Sequence, residues 1–179
     1  MSEGILNLKY TDERDKSFGL VGMAITLVAS DGSDLLARVW LDGDEFSDFE
    51  LSHDFFFRGN PRMAPKYMWA RNVRHLSYAA RMILGNTVCR EYILRNSHSI
   101  PQENRSAIRE VLLEVGRDQC SLVDEEIDAL FSDSLNFVHR LFTNPGVHSV
   151  AVKFSDELCR RRELSGTEII ELLAKLGVR

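Results

Sequence analysis

Gly19-Leu20-Val21-Gly22-Met23-Ala24-Ile25-Thr26-Leu27-Val28-Ala29 is the longest apolar run in the chain, and its assignment sets the architecture. Val21, Met23, Ile25 and Leu27 share one parity, while Ala24 and Val28 lie on the other. A run apolar on both faces reads as a central strand. Ser30-Asp31-Gly32-Ser33 then supplies turn chemistry, with Asp-Gly able to take positive φ, and Leu35 to Leu41 returns as the second arm of a hairpin.

Working outward, Leu6, Leu8 and Tyr10 alternate with Asn7 and Lys9, which suggests a short first strand, and Thr11 to Lys16 reads as a charged connector. Asp42-Gly43-Asp44 makes a second turn. Beyond it, Phe49, Leu51, His53, Phe55 and Phe57 alternate with Asp48, Glu50, Ser52 and Asp54, so Phe46 to Phe57 reads as a strand with one face in the core and one in water. Gly59, Asn60, Pro61 and Pro65 end it.

Helical spacing takes over from Lys66, where Trp69, Val73, Leu76, Ala80 and Ile83 line one face, and Gly85-Asn86 predicts a break. Glu103 to Gly116 repeats Ala107, Ile108, Val111, Leu112 and Val115, with Gly116 as a stop. Ser121 is placed to cap the next helix, whose first turn holds Asp124, Glu125 and Glu126 and whose stripe runs from Leu122 to Phe142. After Asn144-Pro145-Gly146, the alternation of Val150, Val152 and Phe154 predicts a last strand. Ser165-Gly166-Thr167-Glu168 is a capping-box signature before a terminal helix that Gly177 closes. The expected product is a single α+β domain over 1–179: an antiparallel β-meander of about four to five strands (mainly within 4–57 and 147–154), with helices (mainly within 66–142 and 155–177) packed on one face.

At 179 residues the chain is long enough for one sizeable core, and 44 % hydrophobic with 27 % charged residues places it among ordinary globular proteins. Met1 to Tyr10 lacks a secretory pattern, and no run of eighteen apolar residues predicts a membrane span. Cys89, Cys120 and Cys159 are odd in number and far apart, which argues against a disulfide framework and a thiolate zinc site and points to the cytoplasm.

The chain has no GxGxxG, GxxxxGK[ST], GxSxG or HExxH. Asp42 to Asp48 has a superficial likeness to a calcium loop but puts Phe46 and Ser47 where a ligand and a glycine belong. His53 and Asp54, adjacent in an expected strand, point to opposite faces and make a poor metal pair. His139 and His148 flank a turn without a nearby carboxylate. Cys89, although beside Arg90, reads as a small buried residue rather than a nucleophile. No cofactor or metal is expected.

Charge is concentrated elsewhere. Arg58 to Arg95 carries eight basic residues against the single Glu91, a net +7 in a chain of -5, so the other 141 residues sum to -12. Arg58, Arg62, Lys66, Trp69, Arg71, Arg74 and Arg81 are the candidate binding residues. Their charges either pair with the carboxylates of Asp42 to Asp54, contact nucleic-acid phosphates with Tyr67, Trp69 and Tyr78 stacking on bases, or meet an acidic protein or a second copy of the chain. Net acidity argues against nucleic acid at physiological salt. The reading that follows is association without catalysis, as a homodimer; the competing one is an enzyme for a small molecule or phosphate ester using His53, Arg71, Arg74 and His75.

Overall fold

The computed structural model describes residues 9–44, 47–56 and 64–177. Gly19 to Ala29, expected as a central strand, forms the body of helix α1, Glu13–Ala29. Leu20, Val21, Met23, Ala24, Ile25 and Leu27 are all buried and point in every direction around the axis. A helix that is apolar all round belongs in the middle of a core, and its continuous run has no period to distinguish it from a buried strand. The decisive signal lies just upstream. Asp12 caps the helix by accepting from the Asp15 amide at 2.8 Å, and Glu13 and Asp15 occupy the first turn, so the apparent connector is a helix start.

The meander is therefore overturned. Among the described residues there are seven helices and one three-stranded antiparallel sheet with its first strand in the middle. The return arm survives as β1, Leu36–Trp40, but pairs with β2, Phe49–Leu51, and β3, Glu163–Ser165. Val39 faces Phe49 on one side and Leu164 on the other, and all three are buried. On the solvent face Arg38 reaches Glu50 at 2.9 Å and Glu163 at 3.3 Å, tying the edge strands to the centre.

The expected strand Phe46 to Phe57 shrinks to β2 because the chain coils at His53–Phe56 into the short helix α2. Phe49 and Phe55 are buried as expected, whereas Phe56 is 52 % exposed and Asp48, expected in water, is buried beside Lys16 at 3.5 Å. Phe46, Phe57, Leu6 and Leu8 lie outside the described residues, and Tyr10 belongs to no regular element.

Helix α3, Pro65–Cys89, runs through Gly85-Asn86 without the expected break and continues as a π-helical turn, Arg90–Leu94, closed by the Arg95 amide on the Arg90 carbonyl at 3.0 Å. Gly85 is needed for contact rather than for a kink. A Cβ there would sit 2.2 Å from Thr26 Oγ1 and 2.8 Å from the Gly22 carbonyl, so Gly22 and Gly85 are where α1 and α3 touch backbone to backbone.

Helix α4, Gln102–Cys120, passes through the buried Gly116 instead of stopping there. Ser121 ends α4 in the left-handed region and does not cap α5, Asp124–Phe142; Glu126 does, accepting from the Val123 amide at 3.0 Å. Asn144 caps α6, Pro145–Arg161, so Val150, Val152 and Phe154 lie in a helix. Helix α7, Gly166–Lys175, has the expected capping box, with Gly177 beyond it at positive φ. One contiguous core joins these elements, with α1 packed against α3 and α6 and the sheet and α7 beside it.

Candidate functional site

The basic stretch does not form one face. Its C-terminal arginines turn inward: Arg90 grips the buried Asp15 with both Nε (2.7 Å) and Nη2 (2.5 Å), and Arg95 reaches Asp15 at 2.9 Å and Glu91 at 2.6 Å. Arg90 also donates to the Lys9 carbonyl at 2.9 Å and lies 5.0 Å over the Tyr10 ring. Burial raises the Asp15 pKa, but the Arg90 hydrogen bond, the Thr11 amide and the Arg90 and Arg95 charges outweigh it and hold the carboxyl below its usual range. The Tyr10 hydroxyl is pushed up by burial and then by the Asp48 charge. None of these partners was legible as such, because Asp15 and Arg90 are 75 residues apart.

The exposed residues gather on the N-terminal half of α3. Arg58 and Arg62 lie outside the described residues. Lys66 and Arg74 are exposed and make no ion pair among the described residues. Arg71 donates to the Asp54 carbonyl at 2.6 Å and so ties α2 to α3. Trp69, 48 % exposed, donates from Nε1 to the Cys120 carbonyl at 2.8 Å, and Arg81 stacks 4.5 Å over the Phe137 ring. Upstream carboxylates find other cations: Asp42 pairs with Arg162, Asp48 with Lys16 and Glu50 with Arg38.

Two depressions open on this face. A cleft of about 420 Å³ brings together Arg71, Arg74, His75, Tyr67 and Tyr78 opposite Asp31, Asp34 and Asp54. His53, exposed on α2, is not part of it. His75 stacks on Phe55 (ring centroids 5.0 Å apart) and leans on Tyr78 (6.4 Å). Burial, and after it the Arg71 charge, lowers its pKa, so the imidazole is neutral near pH 7. With three carboxylates beside two guanidiniums, the cleft is electrically mixed and ill-suited to stabilising a developing anion.

The second depression is an open groove of about 900 Å³ between α3 and α5. Val73, Leu122 and Leu130 give it an apolar lining, with Trp69 at one end. Of the six large, well-exposed hydrophobic side chains among the described residues, Trp69 lines the groove, Tyr67 lines the cleft, and Phe56 and Val123 lie on α2 and on the turn before α5. Phe56 packs edge-on against Phe55, which lies on His75, and Val123 sits in the α4–α5 turn that Trp69 grips.

The remaining clusters are occupied by the fold. His139 shares a hydrogen bond with the Tyr92 hydroxyl at 2.9 Å, while His148 Nε2 donates to the Phe142 carbonyl at 2.8 Å, so the two histidines have separate partners. Cys89 is fully buried against Gly22, and burial pushes its thiol pKa up, away from nucleophilic use. Asp44 is engaged with Ser47, whose amide and hydroxyl donate to its carboxylate at 3.0 and 2.8 Å. Among the described residues no group of three His, Cys, Asp or Glu side chains is placed to hold a metal ion, and no helix is long and apolar enough to cross a membrane. No protein-family model matches the chain, and no curated protein is significantly similar to it.

Proposed function

We propose that the protein works by association, as a homodimer, through the face built from α2, the first half of α3 and the α4–α5 turn. The observation that carries this reading is the exposure of Phe56, Tyr67, Trp69 and Val123 in or next to the elements that line the two depressions, Tyr67 with Arg71 and Arg74 in the cleft and Trp69 with Arg74 in the groove. Contiguous exposed apolar surface mixed with Tyr, Trp and Arg is the composition of a contact face, and Trp and Arg are the residues that most often dominate its energy. A mixed-charge cleft with a neutral histidine supports catalysis less well. Free, largely buried Cys89 and Cys120 and the half-buried Cys159 suit a reducing compartment, and the cytoplasm is the proposed location.

The contact buries on the order of 1,200 Å² or more in total. Light scattering across micromolar concentrations tests it: the unaltered chain has the mass of a dimer, and Trp69→Glu halves that mass while leaving the circular dichroism unchanged. A monomeric mass for the unaltered chain rejects the reading.

A further inference from the structure

Tyr67, Arg71, Arg74 and Tyr78 follow one another on α3 at spacings of four, three and four, so they share one side of the helix. Facing this stripe across the cleft is a wall from other elements: Asp31 and Asp34 from the turn after α1, and Asp54 from α2. Both walls are held by backbone. Asp31 sits in the left-handed region (φ 60°) with its amide donating to the Val28 carbonyl at 3.1 Å, and the Asp54 carbonyl accepts from Arg71 at 2.6 Å. Cations and carboxylates therefore share about 420 Å³, within the range of small-molecule sites. Yet among the described residues no ion pair joins Arg74 to Asp31, Asp34 or Asp54.

Such a cleft complements a molecule that itself carries both signs. A phosphate dianion suits Arg74 but meets three carboxylates, and a simple cation suits the carboxylates but meets two guanidiniums. The neutral His75 adds no third cation. The cleft also joins the groove: Asp31, Arg74 and Tyr78 line both, and the groove adds the apolar side chains of Val73 and Leu130. A ligand anchored by its charges at this end finds the Tyr78 ring and an apolar surface for the rest of its body.

We propose that the cleft binds an α-amino acid with an aromatic side chain, its carboxylate on Arg74, its ammonium on Asp31 and Asp34, and its ring against Tyr78 toward the groove. Arg71 adds positive charge beside the carboxylate while it holds α2 in place. The site goes beyond the association proposed above and does not depend on it, since every lining residue comes from one chain and Trp69 is not among them.

Isothermal titration with L-phenylalanine and its two singly charged analogues gives the test: phenethylamine lacks the carboxylate and hydrocinnamate lacks the ammonium. Phenylalanine binds saturably, one per chain, and each analogue binds about ten-fold more weakly, the loss expected for one charge-assisted hydrogen bond. Arg74→Gln weakens phenylalanine about ten-fold and leaves phenethylamine unchanged, because the missing groups would have met each other. The chain carrying both Asp31→Asn and Asp34→Asn weakens phenylalanine similarly and leaves hydrocinnamate unchanged. Unchanged binding of the matching analogue also demonstrates that each variant folds. Trp69→Glu binds phenylalanine as the unaltered chain does, whatever its mass in light scattering. The proposal is overturned if phenylalanine shows no saturable binding at millimolar concentration, or if an analogue binds as tightly as phenylalanine. It is equally overturned if Arg74→Gln weakens phenethylamine as much as phenylalanine, or if Trp69→Glu abolishes binding.

Discussion

Asp15 has no solvent contact, yet it is held ionised at the centre of a polar knot. Its two oxygens take hydrogen bonds from Arg90, Arg95 and the Thr11 amide (3.0 Å), and Asn86 extends the network from Arg90 to the Tyr10 hydroxyl at 2.9 Å. Removing one partner of a buried ion pair leaves the other charge uncompensated, so Asp15→Asn costs about 3 to 5 kcal/mol at pH 7 in reversible urea unfolding. The pH dependence has a defined sign. With the folded pKa below the unfolded value of about 3.9, the carboxylate stabilises the fold above that pH, and its contribution is lost as pH falls through the folded value. The gap between the unaltered chain and Asp15→Asn therefore narrows in acid. Equal stabilities at pH 7 would remove the role assigned to the knot.

At the level of elements, the crossing of α1 and α3 depends on two missing side chains. In an exposed helix, Gly→Ala raises stability by about 1 kcal/mol. At this crossing the sign is reversed, because a Cβ on Gly22 would meet the Gly85 carbonyl oxygen at 2.3 Å and a Cβ on Gly85 would meet Thr26 Oγ1 at 2.2 Å. Gly22→Ala and Gly85→Ala each cost about 3 kcal/mol, near the upper end for overpacking, since each new Cβ also meets the other glycine's carbonyl oxygen (2.8 Å for Gly85), and backbone cannot rotate away as a side chain can. A stabilising effect in thermal unfolding would show that the helices do not touch there. Helix α7 gives a smaller, independent case: Ser165 accepts from the Glu168 amide while Glu168 accepts from the Ser165 amide at 2.9 Å. Ser165→Ala loses about 1 kcal/mol, read as a shift of the urea midpoint at constant slope.

Across the whole molecule, the +7 of Arg58 to Arg95 is divided rather than displayed. Arg90 and Arg95 are neutralised inside by Asp15 and Glu91, Arg81 lies on Phe137, and Arg71 and Arg74 share a cleft with Asp31, Asp34 and Asp54. The -12 of the rest of the chain adds to this, so no binding to a generic single-stranded oligonucleotide is expected at about 0.15 M salt, where exposed charges are screened beyond ~8 Å. Micromolar binding in a fluorescence-anisotropy titration, weakening steeply with added salt, would contradict this.

The helices α3, α4, α5 and α7, the strand β1 and the Ser165 capping box follow from local patterns: apolar residues at three- and four-residue spacing, acidic first turns and short turn motifs constrain the backbone without reference to distant parts. Of the four residues named for the competing enzyme reading, Arg71, Arg74 and His75 share a cleft and His53 does not. Where the pattern was ambiguous, tertiary structure decided. Gly19 to Ala29 is apolar in every direction and fits a buried strand or a buried helix equally; the Asp12 cap and acidic first turn upstream start it as a helix, enclosure by α3, α6 and the sheet accommodates its apolar surface on every side, and without it as a strand the meander has no centre. Val150, Val152 and Phe154 alternate by chance of composition, but Asn144 and Pro145 start a helix beneath them whose buried side is Val147, Val150, Ala151, Phe154 and Leu158. Gly85 and the pairing of Asp15 with Arg90 had no local signature at all, because their physical meaning lies in what a second, distant helix places against them.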